Sequence, residues 1–530
     1  MERELMSSPT THPSNTRSAG ARRTVRRALA GTAAVAAAAG LMAAAGGPAS
    51  ASGGSGSPKS HEGAGRDVIA NLFEWNWTSV AKECTTVLGP KGYGGVQVAP
   101  PQDSLSKSTG TTDNPAIHPW WEVYQPVDYG LTSRMGNEAQ FRAMVASCRK
   151  AGVKVYVDAV INHMSGQGHT SYGGVTYRKY HYDGLYGFAD FHHAPKDCPT
   201  ASGTIEDFNN YLQVTECELV GLSDLRTETG RVQDTLAAYL NKLLRYGVSG
   251  FRVDAAKHVG HADLAAIEAK LNRTVDGTRP YIALEVPPGG PGKLAPYSFA
   301  PQGDLLGFDA AQQLHDAFKS YTADATGSIA DLQIFGQNSG LLPSGTSLAF
   351  VENHDTERNG STLSYKDGAT NIIATQFLLA RGYATPQVYA SFAFAANDDS
   401  PPADAKGYVT DTDCSDGWVC NDRNPGIANL VGWHNHVAGT PVVNWSTDGV
   451  NLIGFSRGSR GWIGINNATT AKTRTFTTGL PAGTYCDIIH GDFASGACSG
   501  PTVTVDAGGS AHVTVPAKDA VAFDVTDRVH

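Results

Sequence analysis

Four short apolar runs recur along the chain, and each ends by presenting acids or amides: Val155-Tyr156-Val157-Asp158-Ala159-Val160-Ile161-Asn162-His163, Phe251-Arg252-Val253-Asp254, Ile282-Ala283-Leu284-Glu285-Val286, and Leu348-Ala349-Phe350-Val351-Glu352-Asn353-His354-Asp355. Alone, any of them reads as an amphipathic strand with its charges on the wet face. Their recurrence argues for something else. In a barrel of parallel strands alternating with helices, the active site lies at the C-terminal ends of the strands, and several strands contribute to it. The intervals carry helical periodicity. Phe141, Met144, Val145 and Cys148 share one face of a helix over Asn137–Lys150, stopped by Gly152. Val232, Leu236, Tyr239, Leu240 and Leu243 do the same over Arg231–Tyr246, stopped by Gly247. Helix followed by strand, twice, is the rhythm of an α/β barrel. Earlier, Asp67–Trp75 and Gly94–Pro101 read as two strands with a helix between them.

The rhythm fails in two places. From His163 to about Asp224 the chain is rich in Gly, Tyr, His and Asp and shows no long amphipathic helix. A structureless loop of that length is unusual in a compact domain, so a small inserted domain is expected. From about Pro441 the pattern changes to short β-type runs, such as Asn451–Phe455, Gly461–Ile465 and His512–Val515, separated by Gly, Ser and Asn. That predicts an all-β terminal sandwich, and the absence of an acid cluster there predicts a structural role. Before the first helix, His118–Pro126 contains the pair Trp120-Trp121. On a strand, successive side chains point to opposite faces, so at least one ring is expected to be exposed. An exposed ring beside acidic strand ends reads better as a platform for sugar rings than as a satellite hydrophobic cluster.

Composition adds a compartment. Arg17, Arg22, Arg23, Arg26 and Arg27 precede an alanine-rich apolar stretch and then Ala49-Ser50-Ala51, the pattern of a signal peptide over residues 1–51. Residues 52–65 read as a flexible Gly/Ser-rich leader. No later stretch is apolar enough to span a bilayer, so the mature chain is expected to be secreted without a membrane anchor. A net charge of -9 argues against a nucleic-acid partner. All eight cysteines follow the predicted signal, and an even number in an exported chain favours disulfides, with the pairing left open by spacing.

The four runs, in this order, resemble the four signature segments of the alpha-amylase family of glycoside hydrolases. The combination is specific where any single run is weak, and the resemblance extends from Asp67 to the C-terminus. It implies a (β/α)8 TIM barrel built from residues 66–161 and 225–440, a small inserted domain after the third strand at 162–224, and a C-terminal β-sandwich at 441–530. The implied activity is endo-hydrolysis of alpha-1,4 linkages in starch, glycogen and malto-oligosaccharides with retention, by a monomer. A transglycosylating relative is the nearest alternative, and a non-catalytic carbohydrate-binding barrel a more distant one.

The resemblance also assigns residues. Asp254 matches the nucleophile, Glu285 the acid/base and Asp355 the third carboxylate. Arg252, on the same strand face as Asp254, favours its ionised form. His163 and His354 match histidines that bind the sugar at the cleavage point; Trp120, Trp121, Tyr124 and Gln125 match cleft-lining positions; Lys257 and His258 match the leaving-group side. Asp158 is expected to support the site from below. A structural calcium is implied, held by Asn162, Asp224 and the carbonyls of Thr215 and His258, oxygen donors of the hard kind calcium prefers. The animal-type branch, which the chain resembles through Asn71-Leu72-Phe73-Glu74-Trp75 and the tryptophan pair, binds chloride through an arginine, an asparagine and a second basic residue. Arg252 and Asn353 match the first two, but Ser391-Phe392-Ala393-Phe394 offers no Lys or Arg for the third, which argues against chloride activation. The implied disulfides join Cys84 to Cys148, Cys198 to Cys217, Cys414 to Cys420 and Cys486 to Cys498. His169, His181, His192, His193 and His261 are expected to be ordinary surface or core histidines.

Overall fold

Strand residues of opposite character alternate around a closed parallel barrel. The computed structural model describes residues 65–110, 115–319 and 327–530. The expected signal peptide, and all but the last residue of the expected leader, lie outside the described residues. Eight strands run in chain order around the barrel: β1 (Ile69–Leu72), β2 (Gly95–Val98), β3 (Lys154–Val160), β4 (Gly250–Asp254), β5 (Tyr281–Leu284), β6 (Asp304–Leu306), β7 (Ser347–Ala349) and β8 (Thr385–Phe392), with β8 pairing back onto β1. On β3 and β4, Val155, Val157, Phe251 and Val253 face outward into the core shared with helix residues Phe141, Met144, Leu236, Leu240 and Leu243. Their neighbours Asp158 and Arg252 sit side by side in the β3–β4 register. Polar residues also bond across the buried barrel: Gln387 donates to Gln97 at 2.9 Å and Asn71 donates to Gln387 at 3.4 Å.

Helices α1 (Trp77–Glu83), α2 (Glu138–Lys150), α3 (Gly230–Arg245), α4 (His261–Ala269), α5 (Phe308–Phe318), α6 (Ala369–Arg381) and α7 (Pro425–Val437) surround the strands. Asn137 caps α2 in a reciprocal box with Gln140, which explains why that helix begins where its apolar face does. Between β5 and β6 only 3-10 turns occur, at Gly292–Leu294 and Pro296–Phe299, where Gly and Pro are dense. The tryptophan pair lies on a 3-10 turn, Trp120–Tyr124, and not on a strand. The expected alternation therefore does not apply: Trp120 is buried and Trp121 is half-buried.

The segment after β3 holds short elements only, the longest being a helix over Tyr211–Glu216. Its base is zipped by His163–Met164 pairing antiparallel to Ser223–Asp224, and its interior by the Cys198–Cys217 disulfide. The other three disulfides are Cys84–Cys148, Cys414–Cys420 and Cys486–Cys498, so all four pairings implied by the resemblance are present. The C-terminal region is two four-stranded antiparallel sheets. They share one core that includes Leu452, Trp462 and Phe523 from one sheet and Phe476, Tyr485 and Val513 from the other. Arg457 donates to the Ala380 carbonyl at the end of α6, and Trp433 of α7 donates to the Phe523 carbonyl, joining this region to the barrel.

Candidate active site

Arg252 is the hub of the site. Its Nη1 donates to Asp158 Oδ1 and to Asp254 Oδ1, both at 2.7 Å. Its Nη2 lies 2.9 Å from Glu285 Oε1, an ion pair out of line for a hydrogen bond. β3, β4 and the residue after β5 thus each deliver one carboxylate to a single guanidinium. Ala255, directly after Asp254, has a left-handed backbone with φ 48°. That conformation is strained for alanine; it aims the Ala255 N–H at Glu285 Oε2, 2.7 Å away.

These groups are almost wholly out of water. Burial pushes the Asp254 carboxyl well above the usual range; Arg252 pulls it back, and Glu285 and Asp158 push it further. Burial likewise raises Asp158, against the bonds it receives from Arg252 and Tyr124. Two more acids beside Asp254 make its ionisation depend on the guanidinium they all share.

Aromatic rings form one wall. His354 lies between Phe73, 4.7 Å away and 5° from parallel, and Tyr124, 5.2 Å away at 15°. Trp120 stands edge-on to both Tyr124 and His354. The Tyr124 hydroxyl donates to Asp158 Oδ2 at 2.9 Å, and its carbonyl accepts from His163 Nε2 at 3.0 Å. Asp355 Oδ1 is 3.4 Å from His354 Nε2, and the Asp355 N–H donates to Asn353 Oδ1. Burial pushes His163 and His258 down to about 4 and His354 well below the usual value, so all three rings are neutral near pH 7. Lys257 donates to the carbonyls of Pro287 and Gly289 at 3.0 and 2.9 Å, tying β4 to the loop after Glu285; burial pushes it down to about 8. Gln125 Oε1 accepts from Ser165 Oγ at 2.9 Å, which fastens the aromatic turn to the inserted segment.

Two of the expected calcium donors, Asn162 and Asp224, meet at the base of that segment. Asn162 and Asp224 are buried and in contact, Nδ2 to Oδ1 at 3.2 Å. The His258 ring bonds the Val214 carbonyl at 3.0 Å, which brings His258 beside Thr215. A carboxylate, an amide and two peptide carbonyls are a donor set that suits calcium. Among the described residues there is no group of three or more His, Cys, Asp or Glu that could hold a metal. The pairing of His192 with Asp224 Oδ2 at 2.7 Å leaves Asp224 with one oxygen otherwise engaged.

His192 was read from sequence as ordinary, and the structure places it among three acids: Asp224, Glu216 at 2.8 Å and Glu228 at 3.2 Å. Burial opposes its charge, but these partners outweigh burial and push it up to about 11. Sequence reasoning also passed over Phe73 and Ala255. Phe73 lies about 80 residues before the first acidic run, and nothing local marks Ala255.

Residues 113–281 match the alpha-amylase catalytic domain, and residues 442–526 match the alpha-amylase C-terminal all-beta domain. An alpha-amylase of Thermomonospora curvata is 43% identical over 470 residues, covering 87% of this chain and 73% of the relative. The pancreatic alpha-amylase of Sus scrofa is 38% identical over 481 residues, covering 85% and 92%. Among solved structures, an alpha-amylase I variant of Eisenia fetida in complex with maltohexaose superimposes with a TM-score of 0.82 at 36% identity, covering 88% of this chain and 99% of that one.

Proposed function

The chain belongs to the alpha-amylase family of glycoside hydrolases, and from that membership we propose that it cleaves internal alpha-1,4 linkages of starch, glycogen and malto-oligosaccharides with retention. The observation that carries this reading is the pair of carboxyls, Asp254 and Glu285, held on one buried guanidinium at the ends of adjacent strands. Retention requires an ionised nucleophile beside a carboxylic acid. Asp254 attacks the anomeric carbon while Glu285 protonates the departing glycosidic oxygen. Glu285, now ionised, then takes a proton from water, and the resulting hydroxide displaces Asp254 from the sugar. Arg252 keeps the electron pair on Asp254 available, and the carboxyl proton of Glu285 goes to the leaving group. Asp355 favours the distorted ring and the positive charge that develops on it.

His163 and His354, as neutral rings, hold sugar hydroxyls; Trp120, Trp121, Tyr124 and Gln125 line the substrate cleft, and Lys257 and His258 its leaving-group side. Residues 162–224 form one wall of the cleft. Calcium, when bound by Asn162, Asp224 and the carbonyls of Thr215 and His258, supplies a fixed positive charge that ties this wall to β4. The protein acts as a secreted monomer; four disulfides favour an oxidising compartment, and among the described residues no helix is long and apolar enough to cross a membrane.

The test is soluble starch, with iodine colour and reducing ends followed together. Early collapse of the colour with few reducing ends supports internal cleavage. Release of reducing ends while the colour persists refutes it. Elongated or cyclic products indicate transfer, and binding without cleavage a carbohydrate-binding barrel.

A further inference from the structure

We propose that Arg358 is a positioning residue for the reaction: from behind the sugar pocket it holds the Trp120 ring and the His354 backbone in place before substrate arrives. The inference rests on the roles proposed above for Trp120 and His354.

Arg358 lies on the helical turn Thr356–Asn359, directly after Asp355. Its side chain is 2% exposed. The guanidinium carbon is 4.4 Å from the centre of the Phe394 ring, 5.1 Å from Trp120 and from Phe392, and 5.6 Å from Phe73. Its Nη1 donates to the His354 carbonyl at 2.9 Å and pairs with Glu357. Phe73 is the ring that stacks flat on His354. One planar cation therefore touches the tryptophan of the pocket, the carbonyl of its histidine, and the ring on which that histidine rests. A flat guanidinium can stack on rings and donate in its plane at once, which an ammonium cannot.

Stability alone does not account for this arrangement. Arg358 Nε and Nη2 are buried without a hydrogen-bond partner, and N–H groups left without acceptors in a dry site are costly. An apolar side chain would fill an aromatic cage without that cost. A neighbouring acid is unusual too. Glu74, at the end of β1, is fully buried, has a left-handed backbone with φ 56°, and has no hydrogen-bond partner on either carboxyl oxygen. Burial pushes it up to about 8, while Arg134, 3.6 Å away, and Arg358 pull it down. Strain and unpartnered buried polar atoms gathered beside a pocket are a mark of pre-organisation. Because Trp120 and His354 surround the sugar that must distort, a loosened cage is felt in turnover more than in overall binding, which is spread over several sugar units.

The test uses the full secreted chain and a defined malto-oligosaccharide, with kcat normalised to folded protein by near-ultraviolet circular dichroism. Arg358→Met is expected to lower kcat by about tenfold or more while KM stays within about threefold. Arg358→Lys, which keeps charge but not the planar stack, is expected to fall between parent and Arg358→Met. Unchanged kcat per folded molecule in Arg358→Met, or full activity in Arg358→Lys, overturns the proposal. If Arg358→Met fails to fold, Arg358→Lys decides by the same split between kcat and KM. A parent protein that does not cleave the substrate refutes the hydrolase reading itself, and with it the role given to Arg358.

Discussion

Replacing Arg252 by methionine removes the guanidinium that Asp158, Asp254 and Glu285 share at 2.7 to 2.9 Å. Charges about 4 Å apart interact by about 4 kcal/mol at the effective dielectric suited to protein sites. At about 1.4 kcal/mol per pKa unit, that is about 3 units on the nucleophile, lessened as the neighbouring acids take up protons. The acid limb of kcat/KM against pH should therefore move up by about 2 to 3 units. Near pH 7 the variant should be about 100-fold or more slower than the parent and should recover partly in alkali. Stability follows with a definite sign. A carboxyl whose folded value lies above its unfolded one contributes stability that is fully present below the unfolded value, about pH 4, and is lost as pH rises through the folded value. The melting temperature of Arg252→Met should thus fall further behind the parent as pH rises above the unfolded value, about pH 4. Initial rates on a short malto-oligosaccharide and thermal melts across this range test both arms. An unmoved acid limb with activity within about threefold of the parent refutes the assignment of Arg252 as the group that keeps Asp254 ionised.

The disulfides should differ in worth by loop length. Cys84–Cys148 closes a separation of 64 and Cys414–Cys420 one of 6, so paired serine substitutions should cost about 4 and about 2 kcal/mol in chemical denaturation; equal losses would contradict the loop-entropy account. Chelation with EGTA should lower the melting temperature of the parent and change that of Asp224→Asn less; identical shifts would remove Asp224 from the calcium site. Tyr124→Phe deletes the hydroxyl that donates to Asp158, which should cost about 1.5 to 3 kcal/mol of stability and raise KM; an unchanged denaturation midpoint would show that this bond contributes nothing net.

What the sequence disclosed was governed by whether the partner was local. The runs ending at Asp254, Glu285 and Asp355 were legible because strand ends carry their polar groups within a few residues, and the helices over Glu138–Lys150 and Gly230–Arg245 because their apolar faces repeat every turn. The 3-10 turn at Trp120–Tyr124 was misread as extended, since two tryptophans and a valine suit either conformation. The strand over Asp519–Asp524 was not recognised, because both its faces are buried and the alternation that marks a half-exposed strand is missing. His192 and Arg358 were passed over for a different reason. Glu216, Glu228, Phe73 and Trp120 come to them through tertiary contacts that no spacing along the chain announces.

The central claim, retention through Asp254 with Glu285 as acid/base, is tested most directly by proton NMR of fresh product from a malto-oligosaccharide, before mutarotation, for the parent and Glu285→Gln. The parent should release alpha-anomeric product and the variant almost none. Beta-anomeric product, or a Glu285→Gln variant that turns over at the parental rate, would contradict it.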